Sequence, residues 1–396
     1  MKKLLLTILS VALLTGCSVK EQKKEISFWT LQMGDFAPYI QEIITKYESD
    51  HSDIKIKWVD VPFSEGEKRT LAAVMTDCPP DLINLNPDFS AILAQKGTLE
   101  EIPADKLGEF NPEVIKALQY NGKIYSVPWY ATSAITIYNK NLLNKAGIKN
   151  TPKTYNDLAD ISKTIKNKTG VYSFLPTITE NDTMVKILNK YGISEPTEYN
   201  SATSIGVFNL FKNLYQNNLI PPETITMTHR EALEQYMAGK IVLYQGGANF
   251  LNMIKENAPK IYEQTDVTEQ LKGTVGQNDF SVMNFVIPIR AKYKDEALDF
   301  CLFLTNEENQ LKLAKLTNII ATNNNALKDK FYNDYSDLTS KARSISAKQI
   351  NHITPQLKQK QNQKEINLTV NTAVQKILLN EETTEKVLNK ISELFE

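Results

Sequence analysis

The stretch "NGKIYSVPWYATSAITIYNKNLLNKAGIKNTPKTYNDL", residues 121–158, contains the pattern that decides the fold. Its centre, "SAITIYNK" at 133–140, is rich in β-branched and aromatic residues, which is typical of a strand. Thr154, with Asp157 three residues later, forms a capping box and predicts that a helix begins near residue 155. A strand followed by a capped helix is the repeating unit of an α/β protein.

The same alternation of strands and helices extends in both directions from this stretch. Repeats of this kind predict a parallel sheet covered by helices on both faces. The length of 396 residues exceeds what one hydrophobic core usually serves, so two domains are expected. A helical pattern also runs from Asn371 to Glu396 and predicts a tail packed on the body. Other predicted strands are 25–30, 53–61, 80–86, 241–245 and 281–289.

The N-terminus has the features of a secretory leader. Lys2 and Lys3 precede an apolar run, 4–14, that is too short to span a bilayer. The following "LTGC", ending at Cys17, resembles the lipobox of bacterial lipoproteins, in which the cysteine is acylated and the chain is cut just before it. We therefore predict a signal peptide over 1–16, lipidation of Cys17, and a polar tether over 17–25. This places the protein in the cell envelope, anchored to a membrane and facing the periplasm or the exterior.

The charge and composition exclude several classes of protein. With 45 Lys and Arg against 46 Asp and Glu, the chain has no basic field that would hold nucleic acid. His51, His229 and His352 are far apart in polar surroundings and are predicted to be surface residues. The sequence contains no metalloprotease, Cys-x-x-Cys, Gly-x-Ser-x-Gly or Walker motif. We predict no catalytic residue, no metal and no cofactor, and hence no enzyme, although a glycosidase pair of carboxylates stays open.

Candidate ligand contacts follow from where the strands end, because open α/β sheets bind ligands beyond the carboxyl ends of their strands. Aromatic rings there can cover the C–H face of a sugar, and amides and carboxylates can meet its hydroxyl groups. Each aromatic residue taken singly is better explained by core packing, but together the residues predict a site. Its members are Trp29, Gln32, Met33, Gly34, Glu65, Asn86, Asp88, Trp129, Tyr130, Thr132, Phe174, Gly246, Gly247, Asn249 and Phe250.

Several segments, in order along the chain, resemble the family 1 extracellular solute-binding proteins, the sugar-binding subunits of ATP-driven importers. Residues 121–158 carry a Gly-Lys-x-Tyr-x-x-Pro approach, a Tyr-Asn-Lys strand end, an Ala-Gly turn and a Pro-x-Thr-Tyr cap. "AAVMTDCPPDLINLN" resembles the family before this stretch, and "YMAGKIVLYQGGANF" and "IPIRAKYKDEALDFCLFLTNEENQ" resemble it at later points. The resemblance covers residues 26–330, most of the mature chain.

This resemblance implies an α/β fold of two lobes, the type II, maltose-binding-like form of the periplasmic-binding-protein fold, with a cleft and a hinge. The first lobe is expected to comprise 26–130 and 285–322. The second lobe is expected to comprise 131–284 and 323–396.

The resemblance also places the hinge and one further part of the site. Chain crossings between the lobes are expected near 129–134, 283–286 and 321–325. The family often presents a Gly-Gly or Gly-Trp pair to the ligand before its late strand, whereas this chain has "SVMN", 281–284. Met283 and Asn284 therefore join the predicted site, and the specificity is expected to differ from that of common sugar binders.

By the same resemblance, the protein captures a sugar or oligosaccharide and delivers it to the permease subunits of an ABC importer, most simply as a monomer. Three alternatives stay open. The same fold could bind a polyamine or a glycerol phosphate, the lipoprotein could serve a membrane sensor as a receptor, or the protein could be an envelope enzyme acting on glycans.

Overall fold

The computed structural model describes residues 23–276, 278–350 and 363–396. The predicted signal peptide and Cys17 lie outside these ranges. Within them the chain forms strands and helices that alternate through most of its length. The strands are β1 (Lys24–Leu31), β2 (Ile54–Val61), β3 (Leu82–Leu85), β4 (Gln119–Tyr120), β5 (Lys123–Ile124), β6 (Val127–Asn139), β7 (Tyr172–Phe174), β8 (Ile241–Gly247), β9 (Thr265–Glu269), β10 (Phe280–Val286) and β11 (Ile320–Ala321).

The helices cover the sheet faces and form the C-terminal tail. They are α1 (Ala37–Asp50), α2 (Phe63–Val74), α3 (Pro87–Gln95), α4 (Pro112–Ala117), α5 (Lys140–Ala146), α6 (Tyr155–Thr169), α7 (Thr183–Lys190), α8 (Ala202–Gln216), α9 (His229–Met237), α10 (Phe250–Asn257), α11 (Pro259–Glu263), α12 (Lys294–Leu304), α13 (Glu307–Thr317), α14 (Leu338–Gln349), α15 (Gln363–Leu378) and α16 (Thr384–Leu394). None of the helices in the described ranges is long and apolar enough to cross a membrane.

The capping box predicted for α6 is confirmed. Thr154 Oγ1 accepts a hydrogen bond from the Asp157 backbone N–H at 3.0 Å, and Asp157 Oδ2 accepts one from the Thr154 backbone N–H at 3.0 Å. The two bonds satisfy backbone donors that the helix itself cannot pair. The helix begins at Tyr155, as the sequence predicts.

The sheet is mixed, whereas the sequence predicts a parallel one. Parallel pairing joins β1 to β2 and β3, and β7 to β8. The strands between these groups pair antiparallel: β10 with β3 and β6, and β6 with β8 and β9. In the sheet, β10 and β6 lie between the two parallel groups. Strand β10 runs opposite to β3, and β6 runs opposite to β8.

Strand β6 belongs to both halves of the structure. Its first part, residues 127–133, pairs with β10, and its second part, residues 134–138, pairs with β8. We call the half built on β1, β2, β3 and β10 the first lobe. The half built on β7, β8 and β9 is the second lobe. A single 13-residue strand thus gives hydrogen bonds to both lobes.

Each lobe has its own apolar core. In the first lobe, the Phe28 ring packs edge-on against Phe300, with centroids 5.3 Å apart. In the second lobe, α15 and α16 pack on α8, and the tail residues Val374 and Leu388 are fully buried. The predicted packing of the C-terminal tail on the body is therefore confirmed. The exact lobe boundaries and hinge positions stay predictions.

Candidate functional site between the lobes

Two adjoining cavities lie where the chain passes between the lobes. The larger cavity has a volume of about 470 Å³ and is lined by the middle of β6, the end of β8 and the residues just before β10. The smaller cavity, of about 290 Å³, is bounded by Met33 and Phe36 of the first lobe and by Gly247 and Asn249 of the second. Thr132, Ser133, Gly247 and Asn249 line both cavities.

Three aromatic side chains of the second lobe form one wall of the larger cavity. Tyr244 lies in β8, His229 begins α9 and Phe250 begins α10, and we call these three the aromatic cluster. The Phe250 ring is 5.8 Å from that of Tyr244 and 5.6 Å from that of His229, edge-on in both cases. Such rings offer flat apolar surface to a ligand while the Tyr and His keep polar atoms.

Burial sets the ionisation of this cluster. The pKa of His229 is lowered because the imidazolium would be poorly solvated, although the nearby Glu180 carboxylate opposes that change. Burial also raises the pKa of the Tyr244 hydroxyl well above its usual range, with Glu180 adding to the increase. Both side chains are therefore neutral at pH 7 and act as hydrogen-bonding groups without charge.

The two glycines at the end of β8 leave room for this arrangement. A Cβ atom on Gly246 would overlap the Tyr244 ring, and one on Gly247 would overlap the side-chain oxygen of Asn249. Neither glycine has a positive φ, so steric space is the reason for glycine here. The double glycine thus allows Tyr244 and Asn249 to face the cavities.

Charged groups line another part of the larger cavity. Lys190, at the end of α7, is 2% exposed, and its Nζ lies 2.9 Å from Asp279 Oδ2. Lys186, one turn earlier, lies 3.1 Å from Asp182. Partial desolvation lowers the pKa of Lys186, but Asp182, Asp279 and, from the first lobe, Asp88 outweigh it and raise the pKa overall. We call Lys186, Lys190 and Asp279 the charged cluster.

Eight predicted site residues line these cavities, most of them in the second lobe or on β6. Tyr130 and Thr132 alternate along β6 with buried neighbours, so both project toward the cavities. Burial raises the pKa of Tyr130 to about 12. The full set is Met33, Tyr130, Thr132, Phe174, Gly246, Gly247, Asn249 and Phe250.

The remaining first-lobe candidates lie outside both cavities. Trp29 is half-buried, and the Arg69 guanidinium lies 5.8 Å from the centroid of its ring. Glu65 Oε2 lies 3.6 Å from Arg69 Nη1 on the exposed face of α2. Met283 is half-buried in the same apolar cluster as Trp29. The contact of these three residues with a ligand stays a prediction.

The other first-lobe candidates have local structural roles. The Asn86 side chain caps α3 by accepting a hydrogen bond from the Phe89 N–H at 2.8 Å. Gln32, in an exposed turn, has a positive φ of 52°, and Gly34 follows it closely. Asp88 is half-buried, and its charge acts on Lys186 of the second lobe.

Trp129 and Asn284 require correction, because both are core residues. The Trp129 side chain is fully buried, with its ring 4.6 Å from that of Phe285. Asn284 is also fully buried, and its Oδ1 accepts a hydrogen bond from Ser90 Oγ at 2.7 Å. Trp129 lies near the start of β6 and Asn284 lies inside β10, and alternation along each strand turns both side chains to the core face.

Several cavity residues were not predicted from the sequence. His229 was expected at the surface, whereas it is half-buried in the aromatic cluster. Lys186, Lys190, Tyr244 and Asp279 were also missed. Asp279 had a detectable signal, because it lies two residues before 281–284, the segment that the family resemblance expects to face the ligand. Within the described ranges, no group of His, Cys, Asp and Glu is placed to hold a metal ion.

Comparison with known proteins identifies the family. The model of the bacterial extracellular solute-binding protein family matches residues 42–340, and that of the prokaryotic membrane lipoprotein lipid attachment site matches residues 1–18. A relative from Brucella abortus (strain 2308), described as a binding protein, is 23% identical over 348 residues, which are 83% of each chain.

Solved structures agree with this assignment. A protein from Synechococcus sp. MITs9220, described as an oligosaccharide periplasmic-binding protein, has a TM-score of 0.84 at 25% identity and covers 93% of this chain and 98% of its own. The sugar-binding protein MalE from Xanthomonas citri has a TM-score of 0.80 at 18% identity, with 94% and 96% covered.

These comparisons confirm the predicted two-lobed, maltose-binding-like α/β fold. The match at residues 1–18 confirms the predicted lipid attachment and the location in the cell envelope. Three observations support one assignment. They are the family match over most of the chain, the lipid attachment site and the cavities between the two lobes. The chain belongs to the bacterial extracellular solute-binding proteins.

Proposed function

We propose that this lipoprotein captures a carbohydrate in the cavities between its lobes and delivers it to the permease of an ABC importer. The observation that carries the proposal is the aromatic cluster beside the amides of Gln245 and Asn249 in one cavity. Sugars present both apolar C–H faces and hydroxyl groups, so a site that binds them needs both rings and hydrogen-bonding side chains.

The size and place of the cavities support a saccharide of modest length. A volume of about 470 Å³ is typical of a small-molecule site, and the adjoining space of about 290 Å³ extends it toward the first lobe. A ligand lying across both would touch Met33 on one side and Asn249 on the other.

Binding to both lobes provides a means of closure. A ligand shifts the equilibrium between open and closed forms only if it binds one of them more tightly. The exposed pair Lys364–Glu67, at 3.2 Å, joins α15 to α2 across the lobes. Such a surface pair contributes little, about 0–1 kcal/mol, so closure depends chiefly on the ligand.

The relatives support the same substrate class. The Synechococcus protein described as an oligosaccharide-binding protein matches nearly the whole chain at 25% identity. Because the family binds solutes, we propose that no bond is made or broken in the cavity and that no cofactor is used. The permease partner and the monomeric state are likewise proposals.

The test is thermal unfolding of the mature chain against neutral mono- and oligosaccharides, polyamines and glycerol phosphates. A ligand at a hundred times its dissociation constant adds about 2.7 kcal/mol of stability. We expect a shift from at least one saccharide and loss of that shift in Phe250→Ala. The matched control is Tyr335→Ala, which removes an exposed ring outside both cavities. A shift from polyamines or glycerol phosphate alone would overturn the carbohydrate assignment.

A further inference from the structure

The buried Lys190 is the centre of a hydrogen-bond network beside the larger cavity. Its ammonium group donates to Gln270 Oε1 at 2.7 Å and to the Leu271 carbonyl oxygen at 2.7 Å. Its third partner is Asp279 Oδ2, at 2.9 Å. An ammonium group has three N–H donors, and two hydrogen bonds and one ion pair occupy this one. Lys190 therefore has no donor left for a ligand.

The same network fixes Asp279 at both its backbone and its side chain. The Asp279 backbone N–H donates to Gln270 Oε1 at 2.9 Å, and its carbonyl oxygen accepts from Gln270 Nε2 at 3.0 Å. Gly273 permits this packing, because a Cβ there would overlap the Lys190 carbonyl oxygen. The Asp279 carboxylate is thus held in one place before any ligand arrives.

One oxygen of this carboxylate stays available. Lys190 contacts Oδ2, and the described part of the chain provides no hydrogen bond to Oδ1. Asp279 lines the larger cavity and is 26% exposed. Ser281 and Thr132, which pair across β10 and β6, add exposed hydroxyl groups to the same lining. A fixed acceptor beside hydroxyl groups fits a ligand rich in hydrogen-bond donors.

The charges around the cavity disfavour an anionic ligand. Lys190 is neutralised by Asp279 and Lys186 by Asp182. Two further carboxylates lie near these groups. The Asp88 charge acts on Lys186, and Glu180 Oε2 accepts a hydrogen bond from the His229 backbone N–H at 2.6 Å. A carboxylate or phosphate of a ligand would find both ammonium groups already paired. The four carboxylates also outnumber the three cations Lys186, Lys190 and Arg230, the last of which acts on Tyr244.

We propose that Asp279, held by Lys190 and Gln270, selects the ligand: its free oxygen accepts hydrogen bonds from an uncharged saccharide, and acidic or phosphorylated sugars are excluded. This inference rests on the proposed function and names the substrate class within it. Lys190 acts as a positioning residue, because its donors all point to the protein.

The experiment is titration calorimetry of the mature chain with two sets of probes. The neutral set is glucose, galactose, mannose, maltose, maltotriose and cellobiose. The acidic set is glucuronate, galacturonate, glucose 6-phosphate and glycerol 3-phosphate. We expect binding only within the neutral set, and Asp279→Asn should lower that affinity about 10- to 100-fold, the usual effect of losing a hydrogen bond to a charged group. The matched control Asp266→Asn, which removes a half-buried carboxylate outside both cavities, should leave affinity unchanged.

A second variant is needed because Asp279→Asn leaves the buried Lys190 ammonium without its counter-charge and could unfold the protein. The double variant Lys190→Met with Asp279→Ala removes both charges together and is expected to fold. It should show the same loss of affinity.

The outcomes separate the two proposals. Neutral-sugar binding that survives in both Asp279 variants, or binding of an acidic probe as tight as that of any neutral one, overturns the inference alone. Failure of every saccharide to bind overturns the proposed function and this inference with it.

Discussion

The Tyr244 hydroxyl oxygen lies 2.7 Å from His229 Nε2, and the contact joins the middle of β8 to the first residue of α9. The same two rings lie 4.9 Å apart between centroids. His229 also anchors its backbone N–H on Glu180. The aromatic wall of the larger cavity is therefore built around one neutral imidazole.

This contact predicts a pH dependence of stability. Burial lowers the pKa of His229 in the folded state below its unfolded value of about 6.5. The unfolded state then binds more protons at acid pH, so the stabilising contribution is present above about pH 6.5 and is lost as pH falls toward the folded pKa. Urea unfolding at pH 8 and pH 5 should show a smaller loss in His229→Gln than in the wild type. The control is His51→Gln, a change at a half-buried histidine outside both cavities, which should not reduce the wild-type loss.

Substitution at Gly246 should displace the Tyr244 ring of the aromatic cluster. A methyl group there would overlap the Tyr244 ring, so Gly246→Ala is expected to cost about 1–3 kcal/mol and to weaken saccharide binding. The control is Gly206→Ala in the exposed part of α8, where a Cβ meets nothing within 4 Å. That change should stabilise the helix by about 0.5–1 kcal/mol. Equal effects of the two substitutions on unfolding would refute the steric argument.

Trp129 should affect stability and leave ligand affinity intact. Its side chain is fully buried in the first lobe, so Trp129→Ala should cost about 3–5 kcal/mol of unfolding free energy. Trp129→Phe should cost less, because the indole N–H has no hydrogen-bond partner among the described residues. Calorimetry on the folded Phe variant should give the wild-type saccharide affinity. A large loss of saccharide affinity in the Phe variant would show that Trp129 contributes to ligand binding.

Membrane attachment should depend on one cysteine. Cys17→Ser removes the acylated sulfur predicted at the lipid attachment site, so the protein should be released from the membrane fraction. Cys78→Ser is the matched control, since Cys78 is a free and exposed thiol in the described part of the chain. Detergent phase partitioning reads out both variants, and membrane retention of the Cys17 variant would contradict lipid anchoring at this position.

Local signals in the sequence predicted much of the fold. Thr154 and Asp157 lie three residues apart, and the hydrogen bonds they make are short-range, so the start of α6 could be located directly. The rule that ligands lie beyond strand ends likewise located Gly246, Gly247 and Asn249 at the cavities.

Features that depend on distant contacts could not be predicted in the same way. Asn284 lies within β10, and its place in the core is fixed by Asn84 and Ser90, far away in the sequence. The pairing of Lys190 with Asp279 joins the end of α7 to the start of β10, and neither residue alone indicates the other. Trp129 precedes the strand predicted at 133–140, whereas β6 begins at Val127 and turns Trp129 to the core.

Strand β6 has a consequence for how the protein folds. Each lobe pairs with a different part of β6. A break within β6 would therefore remove a strand, or part of one, from the sheet of each lobe. The two lobes are then separate units for holding a ligand and a single unit for folding. We expect chemical denaturation to proceed in one cooperative transition, and we expect a fragment that ends within β6 to lack a stable native state.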